Sequence, residues 1–274
     1  MPEGDTVWRT AHTLHQALAG STLLRTDFRV PRIATADLSG RVLLEVAPRG
    51  KHLLMRIEGG LTVHSHLGME GAWRVRRNPP GAFGPAHQIR ALLMTGTHTA
   101  AGLRLPVLEL LRTKEESAVV GHLGPDLLGP DWDAAEAGRR LLRDPQRPLV
   151  EALLDQRNLA GIGNVYASEL CFLARLSPWT PVAELAAPLS ARLLTTAERL
   201  LEANKDRARR RTTGSTRPER ALAVYGREGH PCYRCGTPVR TGRHGPPDRP
   251  RTVWYCPHCQ PPSRRNDQSR DTGG

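Results

Sequence analysis

Apolar positions recur at helical spacing near the start of the chain. In "DTVWRTAHTLHQALAG" the stripe is Val7, Ala11, Leu14 and Leu18, which predicts an amphipathic helix with Asp5 or Thr6 as its cap and Gly20 as its stop. From Ser21 to about Val120 the pattern shortens. "STLLRTDFRV", "RVLLEVAPRG", "KHLLMRIEGG", "LTVHSHLG", "GAWRVRR", "HQIRALLMTG" and "AGLRLPVLEL" are short apolar runs broken by Gly and Pro. They predict strands of an antiparallel sandwich or barrel. "GHLGPDLLGPDWD" reads as a joint between domains. Beyond it "AAEAGRRLLRD", "PLVEALLDQRN", "NVYASELCFLARL" and "VAELAAPLSARLLTTAERLLEAN" return to helical spacing. The expected class is α+β, with a leading helix on an antiparallel β-sandwich and then a helical domain. The expected boundaries are 1–122, 123–222, a finger over 223–261, and a disordered, mildly basic tail over 262–274, within "PPSRRNDQSRDTGG".

Composition narrows the partner. Among 274 residues, 39 Lys and Arg against 27 Asp and Glu leave a formal charge of +12, which favours a polyanion. No apolar run reaches the length of a membrane span, and the start carries no export signal, so a cytoplasmic protein is expected. Of five cysteines, four form two CxxC pairs, Cys232/Cys235 and Cys256/Cys259, with 20 residues between them. In a reducing compartment that spacing points to a closed tetrahedral Zn²⁺ site that organises a hairpin and takes no part in chemistry. Arg240, Arg243, Arg249 and Arg251 then lie on a cationic finger. Cys171, in "ELCFLARL", reads as core.

Other candidates have two readings each. In "LAGIGNVYASEL", Gly161 and Gly163 allow a tight turn and Asn164 opens a helix. This is either a plain helix–turn–helix with an Asn cap or a phosphate site built from backbone N–H groups and the Asn164 amide. Lys51 enters a strand after Gly50 and, alone, is a solvated charge. His64 and His66 share a strand face without a third metal ligand, which favours a non-metal role. Met69, between Gly68 and Glu70, is either a stray apolar residue or a wedge for a base stack. "MPEGDT" is either a disordered start with a helix-opening proline, which these six residues alone favour, or a catalytic start. If Met1 is trimmed, Pro2 offers a secondary amine next to the Glu3 carboxyl, and such a pair can do carbonyl chemistry.

"PEGDTVWR", "GKHLL", "GIGNVYASE", "VYGREGHPCYRCG" and "WYCPHCQ", in this order from Pro2 to about Gln260, together resemble the formamidopyrimidine-DNA glycosylase/endonuclease VIII repair enzymes. The start is similar to the endonuclease VIII branch. The resemblance implies a β-sandwich with a leading helix, a helix–two-turn–helix domain with a zinc finger, and damaged DNA as the partner of a monomeric bifunctional glycosylase and abasic-site lyase. It implies that Pro2 attacks C1′, Glu3 is the essential acid, Lys51 contacts phosphate beside the lesion, and Asn164 with Arg251 grips the kinked backbone. Arg251 stands five residues before Cys256, as that pattern asks. In place of the branch's polar–Leu–Tyr triplet, which fills the gap left by the extruded base, this chain has Gly68-Met69-Glu70, where Met69 alone can wedge. The gap between the knuckles is also longer than usual. Branch resemblance orders the lesions as oxidised pyrimidines, then abasic sites, then oxidised purines. Two rival expectations are a zinc-ribbon damage binder without catalysis, and an enzyme using an N-terminal proline as base on small carbonyl compounds. Charge and finger speak against the last.

Overall fold

A computed structural model describes residues 2–262. All but the first residue of the 262–274 tail therefore lies outside the described residues. The chain divides into two compact units, Met1–Leu123 and Gly124–Gly274.

The first unit opens with α1, Gly4–Leu18. Its stripe Val7, Ala11, Leu14 and Leu18 is buried. The helix begins earlier than the expected Asp5/Thr6 cap. Glu3 is the N-cap, because its backbone carbonyl accepts the N–H groups of Thr6 and Val7, both at 3.0 Å. Asp5 instead takes the neighbouring Thr6 N–H at 2.7 Å. Strands follow as β1 Ser21–Thr22, β2 Arg25–Phe28, β3 Val42–Arg49, β4 His52–Ile57, β5 Leu61–His66, β6 Ala72–Arg77, β7 Ile89–Met94, β8 His98–Leu103 and β9 Val107–Arg112. They form two antiparallel sheets, ordered β1-β3-β4-β5-β9 and β2-β7-β8-β6. One core joins both to α1, with Leu53, Met55, Ile57 and Val63 from the first sheet and Phe28, Ala91, Leu93 and Ala100 from the second. A short α2, Ser117–Val120, closes the unit.

"AGLRLPVLEL", read as one strand, is the end of β8 and the start of β9. Arg104 takes a left-handed φ of 48° and Pro106 lacks a ladder N–H, so the run must break there. The first half of β8, "HTA", escaped the strand reading because it holds no large apolar residue.

The second unit carries α3 Ala134–Leu141, α4 Leu149–Leu154, α5 Asn164–Leu173, α6 Ala187–Asn204 and the hairpin β10 Arg240–His244 with β11 Arg251–Tyr255. Leu141, Leu149, Leu153, Tyr166, Leu170, Leu194 and Leu201 form its core, together with Cys171 and Val253 from β11. The Asp133 side chain caps α3 by accepting the Glu136 N–H at 2.9 Å. No helix among the described residues is long and apolar enough to cross a membrane.

Candidate functional site

In the first unit, Glu3 is fully buried at the N-terminus of α1, with Pro2 half-exposed directly ahead of it. The Glu3 side chain does not cap the helix, so its carboxyl is not committed to the usual N-cap bond. Pro2 thus stands at the positive end of a 15-residue helix, next to a buried acid.

Lys51 lies in the two-residue turn between β3 and β4, whose ladder closes with Arg49 opposite His52. Gly50 in that turn has φ 58°, a conformation a side chain resists. The turn holds Lys51 half-buried at the end of the sheet.

Met69 sits at the tip of the β5–β6 turn and is 72% exposed. The Gly71 N–H donates to the Leu67 carbonyl at 2.8 Å, and Gly68 has φ 59° with a Cβ position that would run into Pro106. The tight turn leaves Met69 no core to enter, so a large apolar side chain is held out into solvent.

In the second unit, Gly163 is the N-cap of α5 and Asn164 its first residue. The turn ahead of it is tied down by Gln156, whose amide donates to the carbonyls of Leu154 and Ile162 at 2.8 and 2.9 Å and accepts the Gly161 N–H at 3.2 Å. Gly161 has φ 103°. The Asn164 amide donates to the Thr252 carbonyl at 2.7 Å. This joins the helix to the hairpin at the residue after Arg251, which is exposed. The two residues assigned to one grip are therefore neighbours in space, although 87 positions separate them in the chain.

The four cysteines of the finger converge. All four sulfurs lie within 4.8 Å of one another, with Cys232 Sγ 3.9 Å from Cys259 Sγ and Cys235 Sγ 3.5 Å from Cys256 Sγ. Four thiolates around one Zn²⁺ with bonds of ~2.3 Å would lie roughly 3.8 Å apart, so the set fits a single tetrahedral ion. Backbone N–H groups of Arg234 and Cys259 point at Cys232 Sγ and Cys256 Sγ at 3.4 and 3.5 Å, as second-sphere donors to metal-bound thiolates do. Burial pushes the Cys259 thiol up to about 12, while hydrogen bonds from Thr237 draw the Cys235 thiol down to about 6. The hairpin between the knuckles is antiparallel, with Arg240 opposite Tyr255 and His244 opposite Arg251. Arg240, Arg243, Arg249 and Arg251 are all exposed on it.

Sequence reasoning passed over one residue that organises this unit. Glu169 on α5 is fully buried. Its carboxylate accepts the backbone N–H groups of Ala223, Val224 and Tyr225 at 2.8, 2.8 and 2.9 Å, and also the Thr212 hydroxyl. It ties Thr212, within the arginine-rich stretch after α6, to the backbone of residues 223–225. A charged residue inside the otherwise apolar "VYASELCFL" was the available signal. His52 was also missed. It lies against His64 and His66 on one sheet face.

Residues 1–102 match the family profile described as the formamidopyrimidine-DNA glycosylase N-terminal domain, and residues 123–213 match that of the formamidopyrimidine-DNA glycosylase H2TH domain. The chain is 62% identical over 263 residues to a probable endonuclease 8 2 of Streptomyces coelicolor, covering 95% of this chain and 94% of that one. It is 50% identical to the DNA-(apurinic or apyrimidinic site) lyase Nei2 of Mycolicibacterium smegmatis, covering 95% and 99%. Its fold matches that of Lactococcus lactis Fpg, solved in complex with DNA containing an oxidised pyrimidine, with a TM-score of 0.80 at 22% identity over 95% of this chain and all of that one.

Proposed function

Because the chain belongs to the formamidopyrimidine-DNA glycosylase/endonuclease VIII family, we propose that it is a DNA glycosylase and abasic-site lyase that excises oxidised bases, pyrimidines first, through an iminium at Pro2. The observation that carries this reading is the pairing of a buried Glu3 with Pro2 at the positive end of α1.

A damaged base must leave the stack before its glycosidic bond can be reached. The exposed Met69 suits the wedge that fills the gap, Lys51 suits a phosphate beside the lesion, and Asn164 with Arg251 suits the kinked backbone. The amine of Pro2, freed by removal of Met1, attacks C1′ while Glu3 supplies a proton to the deoxyribose ring oxygen. The C1′–base bond breaks, and the base leaves with the one proton that the amine gives up. The C1′–O4′ bond then opens with the proton from Glu3 on O4′, which leaves a cationic iminium at C1′ and a hydroxyl at C4′. That cation acidifies the C2′ hydrogen, and β-elimination expels the 3′ phosphate. δ-Elimination can then expel the 5′ phosphate. Attack needs the neutral amine, and the α1 N-terminus disfavours the ammonium form. Cys232, Cys235, Cys256 and Cys259 would hold one structural Zn²⁺, which shapes the finger and takes no part in these steps. The domain limits in this reading are 1–122 for the catalytic sandwich, 123–222 for the two-turn domain and 223–261 for the finger.

The test is a panel of defined lesions in duplex and single-stranded DNA, scored separately for base release and nicking, with wild type and Glu3→Gln. Wild type should release oxidised pyrimidines fastest. Glu3→Gln should lose release of intact damaged bases yet still nick preformed abasic sites, where the sugar is already an aldehyde. Binding of damaged DNA without release or nicking would favour a non-catalytic damage binder, and unchanged release by Glu3→Gln would remove Glu3 from the mechanism.

A further inference from the structure

A cluster of imidazoles beside Lys51 has no part in the steps above. The antiparallel register sets His52 opposite His66, Leu54 opposite His64, and His64 opposite Glu109. Directly opposed residues, and residues two apart on a strand, project from the same side of a sheet. His52, His64, His66 and Glu109 therefore share the face of the five-stranded sheet opposite its Leu53, Met55 and Val63 core face. The His52 ring stacks on His64 with centroids 5.1 Å apart. It meets His66 edge-on at 5.1 Å and His122 edge-on at 6.5 Å.

The hydrogen bonds fix which nitrogen carries each proton. The Glu109 carboxylate can only accept, so at 3.4 Å it takes the Nδ1–H of His64. A neutral His64 then holds its lone pair at Nε2, and His52 Nδ1–H donates into it at 2.8 Å. The lone pair of a neutral His52 is left at Nε2. His66 is set the other way, since its Nδ1 accepts the Gly68 N–H at 2.9 Å and its Nε2 carries the hydrogen.

Every charged group facing His52 bears on its protonation. Lys51 approaches from the β3–β4 turn, His64 and His66 from β5, and His122 from the segment after α2. Burial first, and then these neighbours, holds His52 uncharged down to about 3. Burial also lowers His64 and His66. The negative charges, Glu109 on β9 and Glu116 ahead of α2, act on His64 rather than on His52.

We infer that His52 is a further phosphate-binding residue of this site, and that its contact with the phosphate beside the lesion takes up one proton. The inference rests on the proposed role of Lys51. A lone pair at Nε2 repels an anionic oxygen, whereas an N–H there donates to it as a charge-assisted bond. One N–H bond forms at Nε2 with a proton from the buffer, and no bond in the DNA changes. The resulting imidazolium faces phosphate on one side. On the other it is supported through His64 by the Glu109 carboxylate. His64 and Glu109 are positioning residues that hold His52 in the tautomer whose free nitrogen meets the DNA. Without DNA, the same arrangement keeps a second positive charge away from Lys51.

The experiment is calorimetric titration of the zinc-loaded full chain with a duplex carrying a tetrahydrofuran abasic analogue, which binds without being cleaved. It is run at about pH 6 and about pH 8, either side of the ordinary imidazole range, in buffers of different ionisation enthalpy. Wild type should take up close to one proton at the lower pH and almost none at the higher. His52→Gln should lose that uptake, and Glu109→Gln should diminish it. Equal uptake by wild type and His52→Gln, or tight wild-type binding without uptake, would overturn this inference alone. Absence of binding by every form would overturn the parent reading and this one with it. A check that needs no variant is the ¹⁵N spectrum of the wild-type imidazoles. It should show His52 as the Nδ1–H tautomer when free and doubly protonated when bound, and an Nε2–H tautomer in the free protein would overturn the relay.

Discussion

Arg251 illustrates how one residue can be singled out in an arginine-rich surface. The finger exposes Arg240, Arg243, Arg249 and Arg251, and composition cannot rank them. The structure ties the chain at Thr252 to the Asn164 amide, which brings its neighbour Arg251 close to the head of α5. Arg243 lies opposite Thr252 in the register and so projects from the other face of the hairpin from Arg251. Arg251→Ala should therefore weaken binding to damaged DNA and slow the enzyme, while zinc content and fold stay intact. One lost phosphate contact should flatten the slope of log K against log salt by about 0.9. Arg243→Ala, on β10 opposite Thr252, should behave nearly as wild type. Salt titrations of both variants decide the matter, since indistinguishable slopes would make Arg251 one solvated charge among many. Arg251 was legible as a candidate only through the family resemblance, by its place five residues before Cys256. Glu169, Gln156 and His52 were not, because each is defined by partners it meets only after folding. For Glu169 those partners lie 43 to 56 positions away.

Element by element, the sequence pattern was most readable where one face is buried. α1 has a clean helical stripe and was placed, though its start lies two residues ahead of the nearest expected cap because Glu3 caps through its backbone carbonyl. The hairpin between the cysteine knuckles and the Asn164 helix start also stand where the pattern puts them. The β8–β9 break did not show, since a continuous apolar run hides the left-handed Arg104. Two predictions belong at this scale. Glu169→Gln would set an amide against N–H groups that now meet a carboxylate, and should cost the second unit about 2–3 kcal/mol. Denaturant midpoints would measure this, and a change within a few tenths would mean the Glu169 bonds do not hold the 212–225 segment. Removal of the metal by a strong chelator, or Cys256→Ser, should unfold the finger hairpin while the first unit keeps its stability. Metal analysis should return one zinc per chain in the untreated protein. A hairpin that keeps its amide protection from exchange after chelation would deny the ion its structural role.

For the whole molecule, a surplus of twelve positive charges explains a general affinity for polyanions but no chemistry. In the proposed reaction the chemistry depends on Pro2 and Glu3 at the head of α1, and the amine of Pro2 is its decisive group. The most direct measurement is borohydride reduction during reaction with abasic-site DNA, followed by mass spectrometry of the cross-linked peptide. The predicted result is a covalent adduct on the N-terminal peptide at Pro2, weakened in Pro2→Gly and absent when an uncleaved tag precedes Pro2. Full trapping by the tagged protein, or an adduct mapped to Lys51, would place the nucleophile elsewhere and contradict the account.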